Sequence, residues 1–275
     1  MAIKGSILVG KDAPLTVKCQ YCGKNINIRL SQYKRYEWVR GQRNFFCDKF
    51  CSTNRDFSHL RGKVKHENFF KTINTEAKAY LLGFIFADGC VQKSGNSYRF
   101  SLGSIDFILI DWLIQYIGIE NSLYKQKIQS GKTFYNISFS NEILIEDLIK
   151  HGAIPNKTKS LNFPNTIPSD MIHHFIRGYM DGDGDIIFYE DKTCEKMSLS
   201  CSLYGTYSFI SELVFQLSQY VNLKSKGFYQ QGSIFRFKRT SKQAEKILEY
   251  FYKDSSMYLS RKYQKYIDYQ NYRNK

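Results

Sequence analysis

Two apolar stretches with helical spacing, each ending in acid and glycine, set the pattern of this chain. In "PSDMIHHFIRGYMDGDG", Pro168 and Ser169–Asp170 form a helix start, and Met171, Ile172, Phe175, Ile176, Tyr179 and Met180 give a broad apolar face. Gly182 and Gly184 are expected to break the helix. Upstream, "YLLGFIFADGCV" at residues 80 to 91 ends the same way. Aligning Gly83 with Gly178 puts Asp88 on Asp183 without a gap, at an offset of 95 residues. Equivalent runs then follow in each half: two strand-like segments, an apolar helix ("DFILIDWLIQYIG", "TYSFISELVFQLSQYV"), two more alternating segments and a last helix ("NEILIEDLIKHG", "SKQAEKILEYFYKD"). This order predicts an α+β fold of two αββαββα repeats with antiparallel sheets.

Asp181, Asp183 and Asp185 crowd the end of a helix whose macrodipole is already negative there. A divalent cation is the natural counter-charge, and a solvated acidic turn is the plain alternative. An EF-hand loop fails: counting from Asp181, Ile186 stands where glycine is needed and Lys192 where a bidentate glutamate is needed.

With the motif Leu81-Leu82-Gly83-Phe84-Ile85-Phe86-Ala87-Asp88-Gly89 repeated as Ile176-Arg177-Gly178-Tyr179-Met180-Asp181-Gly182-Asp183-Gly184, the chain resembles the LAGLIDADG homing endonuclease family in its two-repeat, single-chain form. "HGAIPNKTKSLNFP" and "YLSRKYQKY" also resemble segments of that family, and the likeness covers roughly residues 68 to 270. The resemblance implies motif helices packed along a pseudo-twofold axis, with Gly83 and Gly178 at the contact. It implies a saddle of two sheets reading the major groove of double-stranded DNA over a long asymmetric site. Asp88 and Asp183 match the family's catalytic acids, which hold Mg²⁺ (or Mn²⁺) and cut both strands across the minor groove, leaving short 3′ overhangs. Asp181 and Asp185 then act as helix-end or supporting groups. Lys238, ending "SIFRFK", matches a basic slot beside the metal and is either catalytic or a phosphate anchor; the first repeat puts roughly Ser140 there.

Composition agrees with a polyanionic partner. The chain has 275 residues, 40 basic against 25 acidic side chains, a net charge of +15 and a pI near 9.4. No apolar run reaches the ~18 residues of a membrane span; the longest candidate is interrupted by Asp111 and Gln115. No secretory signal opens the chain, and an intracellular location is expected: the cytoplasm or nucleoid of a bacterial or phage-infected cell, or an organelle. DNA-contacting residues on the repeats are expected to be Gln92, Lys93, Arg99, Lys125, Gln126, Lys127, Gln230, Arg236, Arg239, Arg261 and Lys262.

Cys19, Cys22, Cys47 and Cys51 have the spacing C-x₂-C-x₂₄-C-x₃-C, which suits a tetrahedral zinc site. Two disulfides are the alternative, disfavoured in a reducing compartment. His59 is a further conceivable ligand. The stretch between the pairs mixes Lys34, Arg35, Arg40 and Arg43 with Tyr33, Tyr36, Trp38, Phe45 and Phe46, as a DNA-touching finger would; a purely structural cap is the other reading. The expected organisation is a zinc-finger-like module at 1–56, a basic linker at 57–74, a first repeat at 75–163 and a second at 164–275. A site-specific, monomeric, metal-dependent DNA endonuclease is expected. A non-cutting relative, an RNA maturase assisting intron splicing or a transcription regulator, is the alternative. An intein-embedded nuclease is not expected, since neither a cysteine or serine start nor a His-Asn end is seen.

Overall fold

A computed structural model describes residues 13–19, 21–34, 45–53, 63–94, 97–120, 122–155, 160–191 and 196–274. The chain divides into two compact units, residues 1–59 and 60–275. The first holds an antiparallel hairpin of β1 (Pro14–Lys18) and β2 (Asn25–Arg29), with Lys18 opposite Asn25, and a short helix α1 (Lys49–Thr53). The turn between the strands places Gly23 at φ 75°, a left-handed conformation that glycine adopts without strain. Arg35, Arg40, Arg43 and His59 lie outside the described residues.

The second unit is the doubled repeat. Its first half comprises α2 (Glu76–Asp88), β4 (Gly89–Ser94), β5 (Ser97–Ser104), α3 (Phe107–Ile117), β7 (Tyr124–Lys127), β8 (Thr133–Phe139) and α4 (Glu142–Lys150). Two short strands, β3 (Lys63–Val64) and β6 (Ile119–Glu120), pair beside it. The second half comprises α5 (Ile172–Asp183), β9 (Asp185–Asp191), β10 (Lys196–Gly205), α6 (Tyr207–Tyr220), β11 (Tyr229–Gln231), β12 (Ile234–Thr240) and α7 (Ser241–Tyr252), followed by α8 (Ser260–Arg273). The sheets have matching orders, β4-β5-β8-β7 and β9-β10-β12-β11, all antiparallel.

The motif helices α2 and α5 form the centre. From Ala79 to Phe86, α2 is buried at every position, so it carries no polar face. A Cβ on Gly83 would lie 2.0 Å from the Phe175 carbonyl oxygen, and one on Gly178 1.9 Å from that of Tyr80. The two contacts are exchanged by the repeat offset, which is the signature of twofold packing. Gly182 does not break α5 as expected. It sits inside the helix, where a Cβ would meet the Ala87 Cβ at 2.3 Å, and the helix ends at Gly184. Leu102, Ile137, Leu203 and Phe237, from the inner strands of both sheets, join one apolar core with the helices. Among the described residues, no helix is long and apolar enough to cross a membrane.

Candidate active site and nucleic-acid interface

Asp88 and Asp183 are the last residues of α2 and α5, and both are exposed. Roughly two fully buried turns of α2, Ala79 to Phe86, precede Asp88. Asp88 Oδ2 lies 3.4 Å from the position a Cβ on Gly182 would take, one residue from Asp183. Both carboxylates act on the same phenol: the Tyr179 hydroxyl is held well above its usual pKa by burial, with the charges of Asp183 and Asp88 adding to it. Two acids meeting at one point repel unless a cation intervenes. An oxygen-only donor pair of this kind fits a hard divalent ion such as Mg²⁺.

The neighbouring aspartates face elsewhere. Asp181 is 2% exposed; its Oδ2 accepts from the Tyr80 hydroxyl at 2.7 Å and the Leu259 N–H at 2.8 Å. Burial raises its pKa against the opposing effect of Lys262. Asp185 starts β9, where its Oδ2 accepts from the Tyr204 hydroxyl at 2.6 Å and stands 3.6 Å from Arg236. Its Oδ1 is buried with no hydrogen-bond partner among the described residues.

Strand register places the expected DNA-contacting residues on two different faces. In the first sheet, Val91, Phe100, Leu102, Ile137 and Phe139 point to the helices. Gln92 pairs with Arg99 and Gln126 with Phe134, all on the opposite, open face. Lys93, Lys125 and Lys127 alternate onto the helix side instead. Lys125 confirms the parity, with its Nζ 5.8 Å from the Phe107 ring centroid on α3. In the second sheet Arg236 and Lys238 lie on the open face, whereas Gln230 and Arg239 alternate to the helix side. The Arg239 guanidinium is spent on the Ser225, Gly227 and Lys238 carbonyls.

Two further expectations change. Lys262 is 4% exposed, and its Nζ donates to the carbonyls of Met180, Asp181 and Gly184, so it is no surface DNA contact. Arg261 makes a bidentate pair with Asp106 ahead of α3. Lys34 is exposed in the first unit.

Lys238 stands opposite Ser202, which stands opposite Asp185, forming one row across β12, β10 and β9. The same row in the first repeat is Ser138, Ser101 and Cys90. The counterpart of Lys238 is therefore Ser138 rather than Ser140. Ser140 lies beyond the end of β8 at Phe139, in the connection to α4, whereas Lys238 lies within β12. Arg99 Nε donates to Ser138 Oγ at 2.6 Å, so an arginine reaches that slot from the adjacent strand.

One polar network had no expectation behind it. Arg177, fully buried in α5, donates to Met257 O, Phe251 O and Glu76 Oε1 at 2.7, 2.6 and 2.6 Å. Glu76 also accepts from Ser256 N, Ser256 Oγ and Met257 N. Burial works against its ionisation, but these donors outweigh it and lower its pKa. An arginine inside an apolar motif is the signal the sequence offered, since a buried guanidinium requires a partner.

In the first unit the ligand atoms of Cys19, Cys22, Cys47 and Cys51 all lie within 4.8 Å of one another. Cys22 and Cys47 sulfurs are 3.5 Å apart, and those of Cys47 and Cys51 3.4 Å. All four are free thiols. The cluster has the composition and compactness to hold a metal such as zinc. For Cys19, burial opposes ionisation but is outweighed by backbone N–H groups of Cys22, Cys47 and Tyr21, which lower its pKa to about 6.

No protein-family model matches the chain, and no curated protein does. Solved structures do. The LAGLIDADG meganuclease I-AabMI, bound to uncleaved DNA, is 16% identical over 70% of this chain and 89% of its own, with a TM-score of 0.49. The homing endonuclease I-WcaI, bound to its DNA recognition sequence, is 12% identical over 73% and 91%, with a TM-score of 0.49. The I-LtrWI LAGLIDADG homing endonuclease, bound to target DNA, is 15% identical over 72% and 88%, with a TM-score of 0.47. By its own doubled motif, repeat topology and glycine-mediated helix pairing, the chain is similar to the two-repeat members of the LAGLIDADG homing endonuclease family.

Proposed function

We propose that this protein is a site-specific double-strand DNA endonuclease of the homing type, acting as a monomer inside the cell. The observation that carries this reading is the convergence of Asp88 and Asp183 at the ends of twin helices, between two sheets with polar open faces. Asp88 and Asp183 would hold Mg²⁺ or Mn²⁺ through carboxylate oxygens. When bound, the cation supplies Lewis acidity that activates water and offsets charge on the departing oxygen.

The chain's own residues do the rest. Gly83, Gly178 and Gly182 keep the helices close enough for the acids to share one site. Lys238 in the second repeat, and Arg99 held at Ser138 in the first, place a cation on each open face to meet a phosphate. Gln92 and Gln126 supply donors and acceptors for base edges in the major groove, while Arg236 is held by Ser202 and Asp185. The net charge of +15 favours the approach of a polyanion. The cysteine module, which we assign to Zn²⁺, adds DNA contacts through Lys34 and its basic neighbours.

Selection of cleaved sequences from a random duplex library in Mg²⁺ tests the reading. A long asymmetric consensus supports it, and a protein that binds duplex without cutting any sequence refutes it.

A further inference from the structure

The segment closing the second repeat is tied to the motif helices by charges that composition alone does not explain. Arg177 and Glu76 anchor residues 251 to 257. Lys262, in the first turn of α8, makes a more local set of bonds. Its Nζ donates to the carbonyls of Met180 at 2.5 Å, Asp181 at 2.9 Å and Gly184 at 2.7 Å. An ammonium has three protons, and these acceptors use all of them.

The acceptors lie on both sides of Asp183. Met180 O also accepts the Gly184 N–H that ends α5, at 3.0 Å, so Lys262 reinforces the helix end at the carbonyl where the backbone capping bond lands. Asp181 is the charge that most favours the ammonium of the 4% exposed Lys262, and it is itself fixed by Tyr80 of the other motif helix and the Leu259 N–H. One ammonium thus pins the main chain from which the Asp183 carboxylate projects, and its counter-ion is bonded to α2. The arrangement ties the end of α5 to the helix that carries Asp88.

We propose that Lys262 is a positioning residue of the paired-acid centre: gripping the backbone around Asp183, it holds that carboxylate opposite Asp88 and so sets how tightly the pair binds a hard cation. Its consequence for cleavage rests on the endonuclease reading; the cation-holding claim does not require it. A simple electrostatic role has the opposite sign, because a nearby ammonium repels a metal cation.

Terbium(III) titration of the full-length chain, followed by tyrosine-sensitised emission, separates these roles. The wild type should show a saturable site that Asp183→Asn removes. Lys262→Met should weaken that site about tenfold or more, the usual scale for groups that orient a ligand. Lys262→Arg keeps the charge but spreads its donors over a planar fork instead of converging three on one nitrogen, and should also weaken it. Arg273→Ala removes the Glu245 ion pair from the same helix and should leave terbium affinity unchanged.

The proposal is overturned if the wild type has no Asp183-dependent site, or if Lys262→Met binds terbium as well as or better than wild type. Full restoration by Lys262→Arg, or an equal loss in Arg273→Ala, overturns it too. Should Lys262→Met fail to fold by circular dichroism, Lys262→Arg decides alone, and affinity within twofold of wild type refutes the claim. Terbium bound at the acids of a wild-type protein that cuts no DNA would sink the endonuclease reading and leave this one standing.

Discussion

Gly178 on α5 and Tyr80 on α2 touch backbone to backbone: a Cβ on the glycine would lie 1.9 Å from the tyrosine carbonyl oxygen. The reciprocal contact of Gly83 with Phe175 is equally tight, at 2.0 Å. Neither obstacle is a side chain that can rotate away, so a methyl group must separate the helices.

Gly178→Ala and Gly83→Ala should therefore each destabilise the protein by at least the ~1–3 kcal/mol typical of overpacking, despite alanine's better helix propensity. Denaturant unfolding checks this. A stability equal to wild type in either variant would contradict the packing described for the helix pair.

The Arg177–Glu76 pair joins the two motif helices through a guanidinium with no solvent exposure. Removing one partner leaves a buried charge uncompensated, at a cost of about 3–5 kcal/mol. Glu76→Gln should approach that loss, Arg177→Met should cost less because partly exposed Glu76 keeps its Ser256 and Met257 donors, and the double variant should lose less than their sum. Additive losses in a double-mutant cycle would mean that the pair does not act as a unit.

His174 gives the protein a pH dependence. Burial first, and then the charges of Arg177 and His173, lower its pKa from 6.5 to about 4. Because the folded value lies below the unfolded one, the stability is complete above pH 6.5 and declines as the pH falls towards 4. The loss between pH 7 and 5 should be about 2 kcal/mol, and His174→Gln should remove most of it. A pH slope unaltered by His174→Gln would point to other groups.

The cysteine cluster should carry one zinc per chain by elemental analysis. Cys22→Ser and Cys47→Ser should release it, weaken DNA affinity and leave unfolding of residues 60–275 unchanged. Freshly purified protein without zinc would rule out the assignment.

Much of this was legible in the sequence, and the reasons are specific. A gapless offset between two helix-breaking acidic motifs exposed the repeat, and glycines within apolar helices marked the contact. Cysteine spacing located the cluster. Strand parity was harder to read. Lys93, Lys125 and Lys127 look like surface cations in any alternating run, and only pairing with Tyr98, Tyr135 and Thr133 puts them on the helix side. Lys262 looks like part of a solvated basic patch because it is next to an arginine near the terminus, yet it is buried. Its carbonyl acceptors are 78 to 82 residues away in sequence, beyond any local pattern.

We propose that Asp88 and Asp183 form one cleavage centre. Its most direct measurement is strand-resolved cutting of the selected target in Mg²⁺ by wild type, Asp88→Asn and Asp183→Asn, at protein concentrations that saturate binding. Both variants are predicted to bind the duplex as wild type does while losing double-strand cleavage. Full double-strand cleavage by either variant would contradict the account.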